Sequence, residues 1–220
     1  MDDGTRANHL ESPSTYDVFL VGVGGQGVLT IGDILAEAAL QQGMPVNFYP
    51  TKGMAQRGGF VKAQLRLGRD MVGPQIPEKG ADLVIAMEQS EALRAVRYIK
   101  PGKDFCLYGH VWLPTAVLLG KAPYPKLQSL AEQVQQAGAV FYYLDPDKRP
   151  QYEGAYVPAN IYVLGAVLGQ TSLGQMLDTD AVANLVRDRW TRGVGRNMRA
   201  FQAGIEARED LPRLDKVVSS

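Results

Sequence analysis

Two glycine-rich stretches hold the residues with the clearest chemical potential: Gly22-Val-Gly-Gly-Gln-Gly27 and Gly53-Met-Ala-Gln-Arg-Gly-Gly59. In the first, Gly22, Gly24 and Gly27 satisfy the G-x-G-x-x-G spacing between an apolar run and a helical pattern. Such a turn points backbone N–H groups and a helix N-terminus at an anion. Gly22, Gly24, Gly25, Gln26 and Gly27 therefore form a candidate phosphate cradle. The second stretch sets Arg57 among loop glycines, with Gly58 and Gly59 behind it. A guanidinium there could grip a phosphate or carboxylate bidentately. Lys52 is a further cation nearby, with weaker support.

A dinucleotide site also needs an acidic residue about twenty positions on, to hold the ribose. The chain reads Tyr49-Pro-Thr-Lys52 at that point, and the nearest acids, Asp33 and Glu37, fall on the helix. Spacing thus leaves three readings: a phosphate-bearing ligand other than NAD, NAD itself, or glycines used only for close packing.

Other chemistry is sparse. The sequence has one cysteine and two histidines. Cys106 alone excludes an intrachain disulfide and a four-thiolate iron–sulfur cluster held by this chain. Its neighbours Phe105, Leu107 and Tyr108 place it in a buried strand. His9 and His110 do not make a zinc site of the usual ligands, nor a serine–histidine–acid arrangement. Gly32-Asp33 does not extend into a thiamine-diphosphate motif. Glu88 closes an apolar run where α/β proteins bind ligands, with capping of the next helix as the alternative. No catalytic or metal-ligating residue is assigned.

The formal net charge is zero, so nothing favours nucleic acid or an anionic membrane. No apolar run approaches the ~20 residues that span a bilayer, and the start lacks the apolar core of a secretory signal. The expected location is the cytoplasm.

The elements that must position the glycine stretches follow from periodicity. Strands are expected at 17–21, 46–49, 60–67, 82–87, 105–108 and 139–144. In 60–67, apolar Val61, Ala63, Leu65 and Leu67 alternate with Lys62, Gln64 and Arg66, which predicts one wet or partner-facing side. Helical spacing appears in Val28, Ile31, Leu35 and Ala38, in Leu93, Val96 and Ile99, and over 127–137. Residues 109–125 read as a long functional or partner-contacting loop. After Asp145-Pro-Asp147 the chain is expected to turn helical, over 160–170, 180–191 and 197–209, with Asp178 and Asp180 as cap and dipole partners. Alternating strands and helices predict a single α/β domain, three-layer α/β/α with a mostly parallel sheet, over 16–208. Polar tails, the first of them mobile, are expected at 1–15 and 209–220.

Gly24-Gly-Gln-Gly27 followed by Gly53-Met-Ala-Gln-Arg-Gly-Gly59 resembles the gamma-type subunit or domain of the 2-oxoacid:acceptor oxidoreductases. The Met-Ala-Gln form of the second loop is similar to the indolepyruvate (arylpyruvate) branch and its beta subunit. Ala86-Met-Glu88 with Glu91 and Arg94, Asn160-Ile-Tyr-Val-Leu-Gly165, and Asn197 with Ala200, Phe201 and Gly204 agree with it. The likeness covers roughly residues 16–208.

That resemblance implies a cytoplasmic hetero-oligomer that converts a 2-oxoacid and coenzyme A to an acyl-CoA and CO2, with electrons passed to ferredoxin or NAD. Thiamine diphosphate would sit on partner catalytic subunits, and iron–sulfur clusters on a ferredoxin-like partner. This chain would bind neither alone, and would contribute to coenzyme A binding and to the thiamine-site interface. A gamma subunit of a phenylglyoxylate dehydrogenase-type complex, a stand-alone NAD-dependent oxidoreductase and a purely structural assembly subunit remain open alternatives.

Overall fold

The computed structural model describes residues 15–51 and 59–207. Lys52, Arg57, Gly58 and the expected tails, Thr15 excepted, lie outside the described residues. The first half of the chain forms β1 (Tyr16–Val23), α1 (Val28–Gln41), β2 (Val46–Thr51), β3 (Phe60–Leu67), β4 (Ala81–Ala86), α2 (Gln89–Ala95) and β5 (Ile99–Tyr108). Then come α3 (Thr115–Leu118), α4 (Leu127–Gln136), β6 (Val140–Leu144) and the short strands β7 (Gln151–Tyr152) and β8 (Ala155–Tyr156). Four helices close the chain: α5 (Ala159–Gln170), α6 (Leu173–Met176), α7 (Thr179–Asp188) and α8 (Val194–Glu206).

Six strands form one sheet in the order β2-β3-β1-β4-β5-β6. β1, β4, β5 and β6 are parallel neighbours, whereas β3 runs antiparallel to β1 and β2. Strand alternation divides the core into two layers. Val18 and Leu20 pack with Ile31, Ile34 and Leu35 of α1 and with α5. Phe19 and Val21 pack with Ala92 and Ala95 of α2 and Leu130 and Val134 of α4. With helices on both faces, β4 is buried at every position, which is why it reads as a continuous apolar run. The expected single three-layer α/β/α domain is the one observed.

The helix α5 is buried over residues 161–168 and lies against α8. Two glycines set that separation. A methyl group on Gly165 would sit 2.1 Å from Phe201 O, and one on Gly204 would sit 2.1 Å from Tyr162 O. No described helix is long and apolar enough to cross a membrane.

Three local expectations change. Ile99 does not belong to a helix: Val96–Tyr98 is a 3-10 turn and Ile99 opens β5, paired with Ala81. Gly102, at φ 74°, donates its N–H to Gly138 O at 2.7 Å, which starts the strand ahead of its apolar run. The expected wet side of β3 is covered at Gln64 and Arg66, because the segment after β3 folds over them. Ile76 N–H donates to Gln64 Oε1 at 2.6 Å, and Arg66 Nη1 donates to Gly73 O at 3.1 Å. Finally, the segment after Asp147 is not yet helical. Glu153 (φ 51°) and Gly154 (φ 77°) make a two-residue turn between β7 and β8, with both residues at the positive φ such a hairpin demands.

Other expectations stand. Asp178 caps α7, its Oδ1 accepting the Asp180 N–H at 2.9 Å. Cys106 is buried, and loss of hydration pushes its thiol up to about 12.

Candidate functional site

The turn after β1 sits at the carboxyl end of the parallel strands, where such sheets place ligands. Its five expected cradle residues divide the labour. Gly22 is a packing position, since a methyl there would lie 2.9 Å from Met87 Cβ. Gly24 donates its N–H to Gly59 O at 2.8 Å, so the two glycine-rich stretches are joined by a direct hydrogen bond. Gln26 braces the turn: its Oε1 accepts the Val23 N–H, and its Nε2 donates to Met87 O, both at 2.9 Å. Gly27, at φ 76°, is the N-cap of α1 and lies under Asn160. Gly25, at φ 97°, has open space where a side chain would be. It is the glycine that faces the cleft.

The cleft measures about 500 Å³, within the range of roughly 300–1,000 Å³ usual for small-molecule sites. Gly25, Tyr108, His110, Arg149, Tyr156 and Asn160 are among its walls. The N-terminus of α5 borders it through Pro158, Ala159 and Asn160, the turn leading into α1 borders it through Gly25 and Gln26, and neither helix is capped by a side chain. First-turn N–H groups are thus available to an anion there. The phenol of Tyr108 is held above its ordinary value, mainly by burial and against the opposing pull of Arg149. It stays a neutral hydrogen-bond donor through the physiological range. The His110 ring lies nearly parallel to that of Tyr108, 6° apart with centroids at 6.4 Å.

Arg149 is the residue that sequence reasoning missed. Its guanidinium stacks over the Tyr156 ring, 5.0 Å from the centroid. Among the described residues it makes no ion pair, and its buried Nε has no hydrogen-bond partner. A buried donor without an acceptor is uncommon and asks for an explanation. The only sequence signals were the Glu153-Gly154 turn and the Asp-Pro-Asp stretch before it, which together mark a loop rather than a helix.

Glu88 is fully buried and serves the cap role, with a second duty. Its Oε2 accepts from Ser90 Oγ at 2.6 Å and from the Glu91 N–H at 2.9 Å, holding the start of α2. Its Oε1 accepts from the Trp112 N–H at 3.2 Å and from the Tyr124 hydroxyl. Burial and this carboxylate together push the Tyr124 phenol far above its ordinary range. Residues 109–125, the expected long loop with the short α3 inside it, are thereby strapped to the body of the domain. On the strap, Val111, Trp112, Leu113, Leu118 and Leu119 are 42–67% exposed. These five are half of the ten large exposed apolar side chains among the described residues.

The family model for pyruvate ferredoxin/flavodoxin oxidoreductases matches residues 17–207. The chain belongs to this family. The indolepyruvate oxidoreductase subunit IorB of Thermococcus kodakarensis is 34% identical over 198 residues, covering 89% of this chain and 97% of the relative. The chain is therefore of the size of a separate subunit in that family of oxidoreductases. Solved structures agree on the fold. A pyruvate oxidoreductase subunit from Thermotoga maritima superposes with a TM-score of 0.64 at 19% identity, covering 87% of this chain and 96% of that one. A 2-oxoglutarate:ferredoxin oxidoreductase from Magnetococcus marinus, with 2-oxoglutarate, coenzyme A and succinyl-CoA bound, gives 0.62 at 20% identity. There the match covers 90% of this chain but 32% of the longer one, so the same fold occurs as part of a larger polypeptide.

Proposed function

We propose that this chain is the non-autonomous subunit of a coenzyme A-dependent aryl 2-oxoacid oxidoreductase complex of the indolepyruvate type. In the complex, a 2-oxoacid anion and coenzyme A yield an acyl-CoA and CO2, releasing one proton and two electrons to an acceptor. Partner-held thiamine diphosphate supplies the carbanion stabilisation that decarboxylation requires. The partner chains also hold the iron–sulfur clusters, since the single cysteine here cannot supply four thiolates. This chain's part is to bind and orient. Its cleft takes the nucleotide end of coenzyme A, with Gly25 allowing close backbone approach, and the strap 109–125 meets the partner chains.

The observation that carries the reading is the hydrogen bond from Gly24 to Gly59, which brings the last glycine of the second stretch against the turn after β1. Arg57 and Gly58 directly precede Gly59 in sequence. Similarity to a whole curated indolepyruvate oxidoreductase subunit supports the substrate class. The coenzyme A-bound structure of the same fold supports the ligand.

The test compares the chain alone with its assembled complex, each offered indolepyruvate or phenylglyoxylate with coenzyme A. Turnover in the complex alone, favouring indolepyruvate, is the expected result. Turnover by the isolated chain without added thiamine diphosphate would overturn the reading. Within the complex, Gly25→Ala and Arg57→Ala are expected to raise the KM for coenzyme A while assembly is kept. An unchanged KM in both variants leaves the glycines a packing role only.

A further inference from the structure

We propose that Arg149 is the guanidinium that grips a phosphoryl group of the cleft's ligand. The inference rests on the reading of the cleft as the seat of a phosphate-bearing molecule, and it names the residue that discriminates for the phosphate.

The local structure holds Arg149 in place rather than leaving it to wave in solvent. The turn Pro146–Lys148 is capped by Asp145, whose Oδ1 accepts the Asp147 N–H at 3.0 Å, and the Arg149 N–H closes onto Pro146 O at 3.3 Å. Pro150 follows and fixes its own φ, and its carbonyl accepts the Val157 N–H at 3.0 Å, which shuts the base of the β7–β8 hairpin. Tyr156, the ring beneath the guanidinium, has its carbonyl gripped by Arg196 through Nε at 3.0 Å and through Nη2. Stacking covers one face of the guanidinium and leaves its N–H edges to form in-plane bonds.

The charge pattern points to the ligand. Arg149 makes no ion pair among the described residues, although Asp147 lines the same cleft. The amino end of α5 and the turn leading into α1, both uncapped by side chains, border the cavity as well. The Arg149 guanidinium with backbone N–H groups suits a phosphate, while the Asp147 carboxylate suits a hydroxyl or amino group beside it. A nucleotide carries both.

The experiment measures binding of inorganic pyrophosphate and of adenosine 3′,5′-bisphosphate to the full chain by calorimetry, and the KM for coenzyme A in the assembled complex. For Arg149→Gln the affinity for both probes is expected to fall at least ~10-fold, as for loss of a charge-assisted bond, with Arg149→Lys in between. The thermal midpoint of each variant reports whether it folds, and Lys keeps the test valid should Gln disturb the hairpin. Equal probe affinity in wild type and both variants, or no probe binding by the wild type, overturns the proposal. If probe binding falls but the complex's KM for coenzyme A is unmoved, the phosphate grip stands and the coenzyme A reading fails.

Discussion

The two ends of the parallel strands treat charge in opposite ways. At the amino end, buried acids are matched by cations or by neutral hydrogen-bond donors. Asp17 takes Arg66 Nε at 2.9 Å and Nη2 at 3.1 Å, with Arg69 at 3.5 Å. Asp82 takes Lys100 at 2.7 Å and Lys103 at 3.5 Å, and also accepts the Asp17 N–H. Asp104 accepts from the Ser172 N–H and hydroxyl, both at 2.9 Å, and Ser172 in turn meets Tyr16. At the carboxyl end, Gln26 and Glu88 are spent on backbone and neighbours, while Arg149 has no counter-charge among the described residues. At the amino end every buried acid named here has partners and the role is structural, although the buried Arg69 Nε has no hydrogen-bond partner among the described residues. Among the described residues, the carboxyl end leaves Arg149 and the N-termini of α1 and α5 uncommitted, which is what a binding site requires and a fold does not.

Four substitutions would break or sharpen this contrast. The largest effect is expected from Asp17→Ala, which strands Arg66 in a buried position without its anion. A loss of about 3–5 kcal/mol in denaturant unfolding is expected, and a loss below about 1 kcal/mol would remove the structural reading of the amino end. Next comes Glu88→Gln, whose amide nitrogen cannot accept the bonds that the carboxylate oxygens take. The expected cost is about 2 kcal/mol, with faster proteolytic cutting in residues 109–125. Lys103→Ala removes the longer and more exposed of the Asp82 pairs and should cost less than about 1 kcal/mol, shrinking further in high salt. Arg149→Gln closes the series: its stability should change by no more than about 0.5 kcal/mol, since nothing buried depends on its charge. A large destabilisation there would make Arg149 another structural cation and erase the difference between the two ends.

Much of the fold was legible because burial on both faces imposes simple patterns. Residues 82–87 read as a central strand since helices cover both its sides, and the spacing of Val28, Ile31 and Leu35 follows the inner face of α1. What could not be read depends on contacts between segments far apart in sequence. Gln64 and Arg66 look like a solvent face until the carbonyls of Gly73 and Gln75 and the Ile76 N–H are known to meet them. The site was legible in part. Glycine spacing pointed to the turn after β1, but which glycine lies open depends on Gly59 and Met87 arriving from other strands. Arg149 carries no motif, and its importance lies in the missing partner, which no local pattern encodes. Arg57 and Gly58 fall outside the described residues.

The divided carboxylate of Glu88 ties surface recognition to local folding. One oxygen secures α2, the other secures the strap with its exposed Trp112 and Leu113. By thermodynamic reciprocity, a partner that binds the strap only in this arrangement must raise the free energy of opening α2 by as much as an intact α2 raises the partner's affinity. Assembly and the order of that helix then respond to each other as one equilibrium, with Glu88 as a coupling element beside Gln89, which donates to Pro125 O and His110 O of the strap.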